Sequence, residues 1–191
     1  MKCVVATNNQ HKLKEMRDII GSKLELISLG ELGIDADIEE NGKTLLENSL
    51  IKARAICKLT NMPTLADDTG LIVDALNGAP GVYSARYAGV EHDDKRNREK
   101  LLRELQSVEY NERTARFETV ISLVFPDGHY LTAKGEVEGF ILFEEQGTDG
   151  FGYDTLFYSS ELKKSFGEAT SEEKNSVSHR GRALRKLLEL L

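Results

Sequence analysis

Pro63-Thr64-Leu65-Ala66-Asp67-Asp68-Thr69-Gly70 is the stretch on which the fold turns. An apolar run ends on two adjacent carboxylates, and a hydroxyl and a glycine follow at once. The stretch reads as a strand ending in a tight turn, where α/β proteins hold their chemistry. Adjacent carboxylates repel, so a fold keeps them where something offsets their charge. Two readings stand side by side. Asp67 and Asp68 cap the turn and face water, or they serve a hard cation such as Mg²⁺, which usually arrives with substrate phosphates.

Upstream of this strand, Lys2 to Ala6 is a short β-branched apolar run, a second buried strand. A helix follows from about His11 to Ile20 with Leu13, Met16 and Ile20 on one face. Leu24 to Leu29 is another strand, and Gly33 to Gly42 is acidic and irregular. A helix from about Thr44 to Leu59 has an apolar stripe of Leu46, Leu50, Ala53 and Cys57 and a polar stripe of Thr44, Asn48 and Lys52. Downstream come an apolar stretch from Leu71 to Leu76 and a long loop from Asn77 to Gly89. A charged helix spans about Asp93 to Gln106. Thr114 to Phe125 and His129 to Leu142 read as a hairpin turning at Pro126-Asp127-Gly128. A helix from about Ser178 closes the chain, with Leu184, Leu187, Leu188 and Leu191 on one face.

The chain has 191 residues, 40% hydrophobic and 30% charged, which suits a soluble globular protein of one large domain or two lobes sharing a core. No apolar run approaches the roughly 20 residues that span a bilayer. The start, Met1 to Thr7, is too short and too soon polar for a signal peptide. Cys3 and Cys57 lie in apolar surroundings as core thiols. These features point to the cytoplasm. A net charge of −7 without a basic arm excludes broad nucleic-acid binding. It leaves room for small anionic substrates wherever lysine and arginine cluster.

Four further groups of residues have the makings of a site. Thr7, Asn8, Asn9, Gln10, His11 and Lys12 lie between the first strand and the first helix, where unpaired N–H groups and a lysine make a phosphate cradle or Asn8 or Asn9 simply caps the helix. Thr44, Asn48 and Lys52 form either a solvated face or, with Glu39 and Glu40 of the acidic loop, the surroundings of a metal shared with Asp68. In Thr148-Asp149-Gly150-Phe151-Gly152-Tyr153-Asp154, Phe151 either tucks into the core or offers a flat face to a base. Such stacking contributes about 1–3 kcal/mol. Finally, His179 and Arg180 place cations at a helix N-terminus with Lys174 nearby. They oppose the dipole, so either a strong leucine helix tolerates a basic surface patch or an anion or carbonyl-rich ligand sits near them.

Phosphate-binding parts, a carboxylate cluster and a stacking loop are the parts of a nucleoside triphosphate site. The chain resembles the inosine/xanthosine triphosphate pyrophosphatases over essentially its whole length. The resemblance rests on Ala6-Thr7-Asn8-Asn9…Lys12, Glu47-Asn48-Ser49…Lys52-Ala53, Ala66-Asp67-Asp68-Thr69-Gly70-Leu71, Gly78…Pro80-Gly81…Ser84-Ala85-Arg86, Gly150-Phe151-Gly152-Tyr153-Asp154 and Ser178-His179-Arg180…Ala183-Leu184. Thr69 departs from a common serine but keeps the hydroxyl, and Asp149 departs from a common glycine.

The resemblance implies an elongated two-lobed α/β fold with a central mixed β-sheet flanked by helices, the active-site cleft between the lobes. It implies Mg²⁺-dependent hydrolysis of non-standard purine triphosphates (ITP, dITP, XTP) to monophosphate and pyrophosphate, which keeps them out of DNA and RNA, and usually a homodimer. Carried over by position, Thr7 to Lys12 and Lys52 hold phosphates. Asp68 is the catalytic acidic residue and a metal ligand, with Glu39, or else Glu40, as its metal partner. Thr69 contacts the substrate. Phe151, Gly152, Tyr153 and Asp154 hold base and sugar, and Lys174, His179 and Arg180 recognise the purine.

Overall fold

The computed structural model describes residues 1–89 and 93–191. The elements in order are β1 (Lys2–Val5), α1 (Gln10–Ile20), β2 (Glu25–Ser28), α2 (Leu45–Thr60), β3 (Thr64–Val73), β4 (Pro80–Gly81), α3 (Asp94–Glu104), β5 (Thr114–Val124), β6 (Tyr130–Ile141), β7 (Phe157–Ser159), β8 (Lys164–Ser165), α4 (Ser171–Val177) and α5 (His179–Glu189). Among the described residues the strands form one mixed sheet in the order β2-β1-β3-β5-β6-β7-β8, with β4 paired to β3. β1 runs parallel to both β2 and β3, while β7 is antiparallel to β6 and β8. The expected α/β architecture with a central mixed sheet is the one that forms. So is the hairpin: the Phe125 N–H bonds to the His129 carbonyl and the Gly128 N–H to the Phe125 carbonyl.

The chain divides into two compact units. The first comprises Met1–Asp68, Thr119–Gly135 and Arg180–Leu191. In it β1 and β3 are buried on both faces, which is why they read as continuous apolar runs rather than alternating ones. Successive side chains of a strand point to opposite faces. Cys3, Val5 and Leu65 accordingly pack with Leu13 and Met16 of α1 and Leu184 and Leu187 of α5. Val4, Ala6 and Ala66 pack with Leu50, Ala53, Ile56 and Cys57 of α2. Leu45 is buried at the start of α2 whereas Leu46 is 41% exposed, so the apolar stripe begins one residue earlier than the sequence reading had it.

The second unit comprises Thr69–Glu118 and Glu136–His179. Its core joins Leu71 and Val73 of β3, Leu101 of α3, Phe117 of β5, Val137 of β6 and the aromatics Tyr153, Phe157 and Phe166.

One expectation needs correction. The chain does not turn at Asp67 to Gly70; β3 runs unbroken from Thr64 to Val73. The glycine serves close approach instead, because a Cβ on Gly70 would lie 2.7 Å from the Gly81 carbonyl oxygen of β4. The closing helix expected from about Ser178 forms as α5, and a further helix, α4, precedes it and carries Lys174. The signal was present in Thr170-x-x-Glu173, a capping box in which the Thr170 side chain takes the Glu173 N–H and the Glu173 carboxylate takes the Thr170 N–H.

Candidate active site

An unbroken β3 separates its two aspartates. Asp67 follows Leu65 onto the α1/α5 face, and Asp68 follows Ala66 onto the α2 face. Repulsion between the neighbours is thereby reduced, and each carboxylate acquires its own surroundings.

Asp67 is buried, with Lys12 Nζ 3.3 Å away and two Arg180 nitrogens on Oδ2 at 3.2 and 2.8 Å. Arg180 is itself buried and also pairs with Glu15 of α1. Burial by itself would raise the Asp67 carboxyl, but Lys12 and Arg180 hold it far below the usual carboxylate range. The Arg180 guanidinium is likewise held firmly charged, Asp67 and Glu15 outweighing its burial. The dipole conflict at the start of α5 is therefore relieved, for Arg180, by carboxylates of the protein.

Asp68 is different. Its Oδ2 accepts from Asn48 Nδ2 at 3.1 Å, and Lys52 Nζ stands 3.7 Å from Oδ1. The same ammonium lies 3.0 Å from Glu40. Burial raises the Asp68 carboxyl and Glu40 raises it further. Lys52, Lys12 and the Asn48 bond pull it down, yet it ends above its ordinary value. Lys52 in turn is stabilised as the cation, Asp68 and Glu40 prevailing over its burial.

The polar stripe of α2 is thus not a solvated face. Thr44 caps the helix by accepting the Glu47 N–H. Asn48 is fully buried, takes the Gly42 N–H on Oδ1 and presents its amide to Asp68. Asn48 joins the site residues read from the sequence, and its i, i+4 place beside Lys52 was the signal for it. Of the two glutamates, the structure brings Glu40 to Lys52 and Asp68, while Glu39 is exposed. The irregular chain turns alternate residues outward here, so Glu39 faces water where Glu40 faces α2.

Asn9 caps α1, its Oδ1 accepting the His11 and Lys12 N–H groups at 3.0 and 3.2 Å. Asn8 reaches the Ala36 carbonyl, and Thr7 accepts the Asn9 N–H. Gln10 and His11 are exposed on the first turn. The capping reading holds at Asn9, and Lys12 is drawn to Asp67. Lys12 loses its proton more readily than an ordinary lysine because burial and the Lys52 and Arg180 charges outweigh Asp67.

In the second unit, Thr69 is half-buried on β3. The glycine-rich loop is built around Asp154, which is buried, accepts the Phe151 N–H at 2.8 Å and pairs with Lys174 at 2.6 Å. A Cβ at Gly150 would lie 2.2 Å from that carboxylate, so only glycine fits. Lys174 Nζ also stands 4.7 Å from the centroid of the Phe151 ring, a cation–π contact. Tyr153 is buried and donates to the Ser84 carbonyl at 2.7 Å. The polar atoms of Tyr153 and Asp154 therefore shape the loop, and Phe151 and Gly152 are its half-buried members. His179 is buried against Phe117, ring centroids 4.7 Å apart.

Two carboxylates near Lys52, one of them hard to ionise, suit a hard divalent ion, which offsets both charges and completes its shell with phosphate oxygens and water. Among the described residues no three histidine, cysteine or acidic side chains form a self-sufficient metal cage. No helix among them is long and apolar enough to cross a membrane.

The model of the Ham1 family matches residues 3–190. The chain is 50% identical over 197 aligned positions to a dITP/XTP pyrophosphatase of Clostridium perfringens, covering 100% of this chain and 97% of the relative. It is 45% identical to the Bacillus subtilis protein of the same description, covering 100% and 96%. The solved Ham1 protein of Staphylococcus aureus superposes with a TM-score of 0.87 at 41% identity, covering 100% of this chain and 97% of that one. A HAM1 protein from Coxiella burnetii gives 0.88 at 40% identity, covering 100% and 98%.

Proposed function

Because the chain belongs to the Ham1 family, we propose that it hydrolyses non-standard purine nucleoside triphosphates (ITP, dITP and XTP) to the monophosphate and pyrophosphate, with Mg²⁺. The observation that carries this reading is the geometry at Asp68: a buried carboxylate bonded to Asn48 and sharing the Lys52 ammonium with Glu40. Relatives described as dITP/XTP pyrophosphatases support the substrate class.

In this reading, water attacks phosphorus, the P–O bond between the α and β phosphates breaks, and pyrophosphate leaves with the electron pair. Such a reaction needs positioning and charge neutralisation more than covalent help. Asp68 and Glu40, rather than the exposed Glu39, would hold Mg²⁺, which would supply positive charge against the phosphates. Lys12 and Lys52 add fixed positive charge, and Thr7, Asn8, Asn9, Gln10 and His11 line the phosphate path. Asp68 takes the proton of the attacking water. Arg180 acts through Asp67, fixing Lys12.

Thr69, Phe151 and Gly152 meet base and sugar, with Tyr153 and Asp154 shaping their loop. Lys174 and His179 favour a purine bearing a 6-oxo acceptor. A site with buried donors discriminates strongly against the 6-amino group of adenine, which leaves them unpaired. A homodimer working in the cytoplasm belongs to the same proposal.

The test is pyrophosphate release from ITP, XTP, GTP and ATP with and without Mg²⁺. Fast Mg²⁺-dependent release from ITP and XTP, with ATP slow, is expected. Equal rates on ATP and ITP would overturn the purine pocket, and no release from any of the four would remove the reaction.

A further inference from the structure

We infer that Asp94 and Arg98 of α3 form a clamp on Gly152 that fixes how Phe151 is presented, making them positioning residues for the base; this rests on the proposed role of the Phe151 loop. The Gly152 N–H donates to Asp94 Oδ2 at 2.8 Å. The Gly152 carbonyl accepts from Arg98 Nη1, also at 2.8 Å. The two side chains stand four residues apart, so one face of α3 presents a carboxylate and a guanidinium together.

The geometry fixes more than one residue. The Gly152 N–H belongs to the peptide plane that joins it to Phe151, and its carbonyl belongs to the plane that joins it to Tyr153. Asp154 holds the Phe151 N–H, on the plane before. Three successive peptide planes around Phe151 are therefore tied to charged side chains. Gly152 has φ +63°, a left-handed conformation that few other residues adopt readily, although a Cβ there would meet nothing within 4 Å. Backbone conformation, not space, selects glycine at this position.

The clamp is itself braced. Arg98 Nε lies 3.0 Å from Glu145, which accepts the Thr155 hydroxyl at 2.7 Å. α3 is anchored by buried Leu101 and by Asn97, which accepts the Ala88 N–H and donates to the Ala85 carbonyl. A stacking ring on a glycine-rich loop needs such support, since small displacements of a binding group cost affinity out of proportion to their size.

The experiment combines three readouts on Arg98→Met, Asp94→Ala, Asp94→Asn and Phe151→Ala: steady-state kinetics on ITP and ATP, inhibition by inorganic pyrophosphate, and hydrogen exchange at the Gly152 amide. Arg98→Met and Asp94→Ala are expected to raise KM for ITP roughly tenfold. They should leave kcat within about twofold, narrow the preference for ITP over ATP, and leave pyrophosphate inhibition unchanged. Asp94→Asn keeps an acceptor for the Gly152 N–H and should restore most of the loss. Gly152 exchange should quicken in Asp94→Ala and stay slow in Asp94→Asn, a readout independent of turnover.

If Phe151→Ala raises KM while the clamp variants match the parent in KM, preference and exchange, the clamp falls and the base loop stands. If Phe151→Ala leaves KM unchanged, the base-loop reading falls and takes the clamp with it.

Discussion

The two faces of β3 carry the same side chain and treat it in opposite ways. On the α1/α5 face, Asp67 sits among Lys12, Arg180 and Glu15 in a network that makes it easier to ionise. On the α2 face, Asp68 shares Lys52 with Glu40 and is made harder to ionise. The first arrangement is settled by protein charges; the second keeps a carboxylate in surroundings that a divalent cation and a phosphate would complete. Strand alternation alone gives these adjacent residues separate surroundings, and the proposed function assigns them separate roles.

That contrast can be broken most forcefully at Asp67. Asp67→Asn leaves the buried Arg180 and the neighbouring Lys12 without their shared carboxylate. Removing one partner of a buried pair costs about 3–5 kcal/mol, so the urea midpoint should drop sharply. A midpoint equal to the parent's would place Asp67 outside the structural framework.

Next in size is Phe151→Ala in the second unit, expected to cost about 1–3 kcal/mol of nucleotide affinity through lost stacking. KM for ITP should rise with the unfolding midpoint nearly constant; an unchanged KM would put the base elsewhere.

Glu40→Gln tests the α2 face more gently. Loss of one metal-side carboxylate should raise the Mg²⁺ concentration needed for half-maximal rate by roughly 10- to 100-fold. Glu39→Gln should leave it near the parent value. The reverse pattern would return the metal to Glu39.

The smallest effect is a difference in pH dependence. Asp67 has a depressed folded pKa, so the stability it confers is complete above its unfolded value of 3.8 and fades as pH falls toward the folded one. Asp68, with a raised folded pKa, has the opposite sign and favours the fold more once protonated. Urea midpoints measured from pH 7 down to about 3 should therefore fall less steeply in Asp67→Asn than in the parent. A curve parallel to the parent's would deny Asp67 its share.

Much of this was legible in the chain. Apolar runs at Lys2 to Ala6 and Pro63 to Ala66, the i, i+4 polar stripe of α2, and the Pro126-Asp127-Gly128 turn all specify local structure by short-range rules. What the sequence hid came from longer range. Gly70 looked like a turn because a glycine after two aspartates usually is one, but its role is set by Gly81 across β4. Arg180 looked like a ligand for an anion because its partners, Asp67 and Glu15, lie far away in sequence. Asp94 and Arg98 read as an ordinary charged face, since nothing in α3 announces the Gly152 backbone that they hold.

The most direct measurement is the rate of pyrophosphate release from ITP with Mg²⁺ by Asp68→Asn, with its urea midpoint taken on the same preparation. A fall of roughly 100- to 10,000-fold, the range of a lost general base, with the midpoint at or above that of the parent, is the result the account predicts. Near-normal release from a folded Asp68→Asn protein would contradict it.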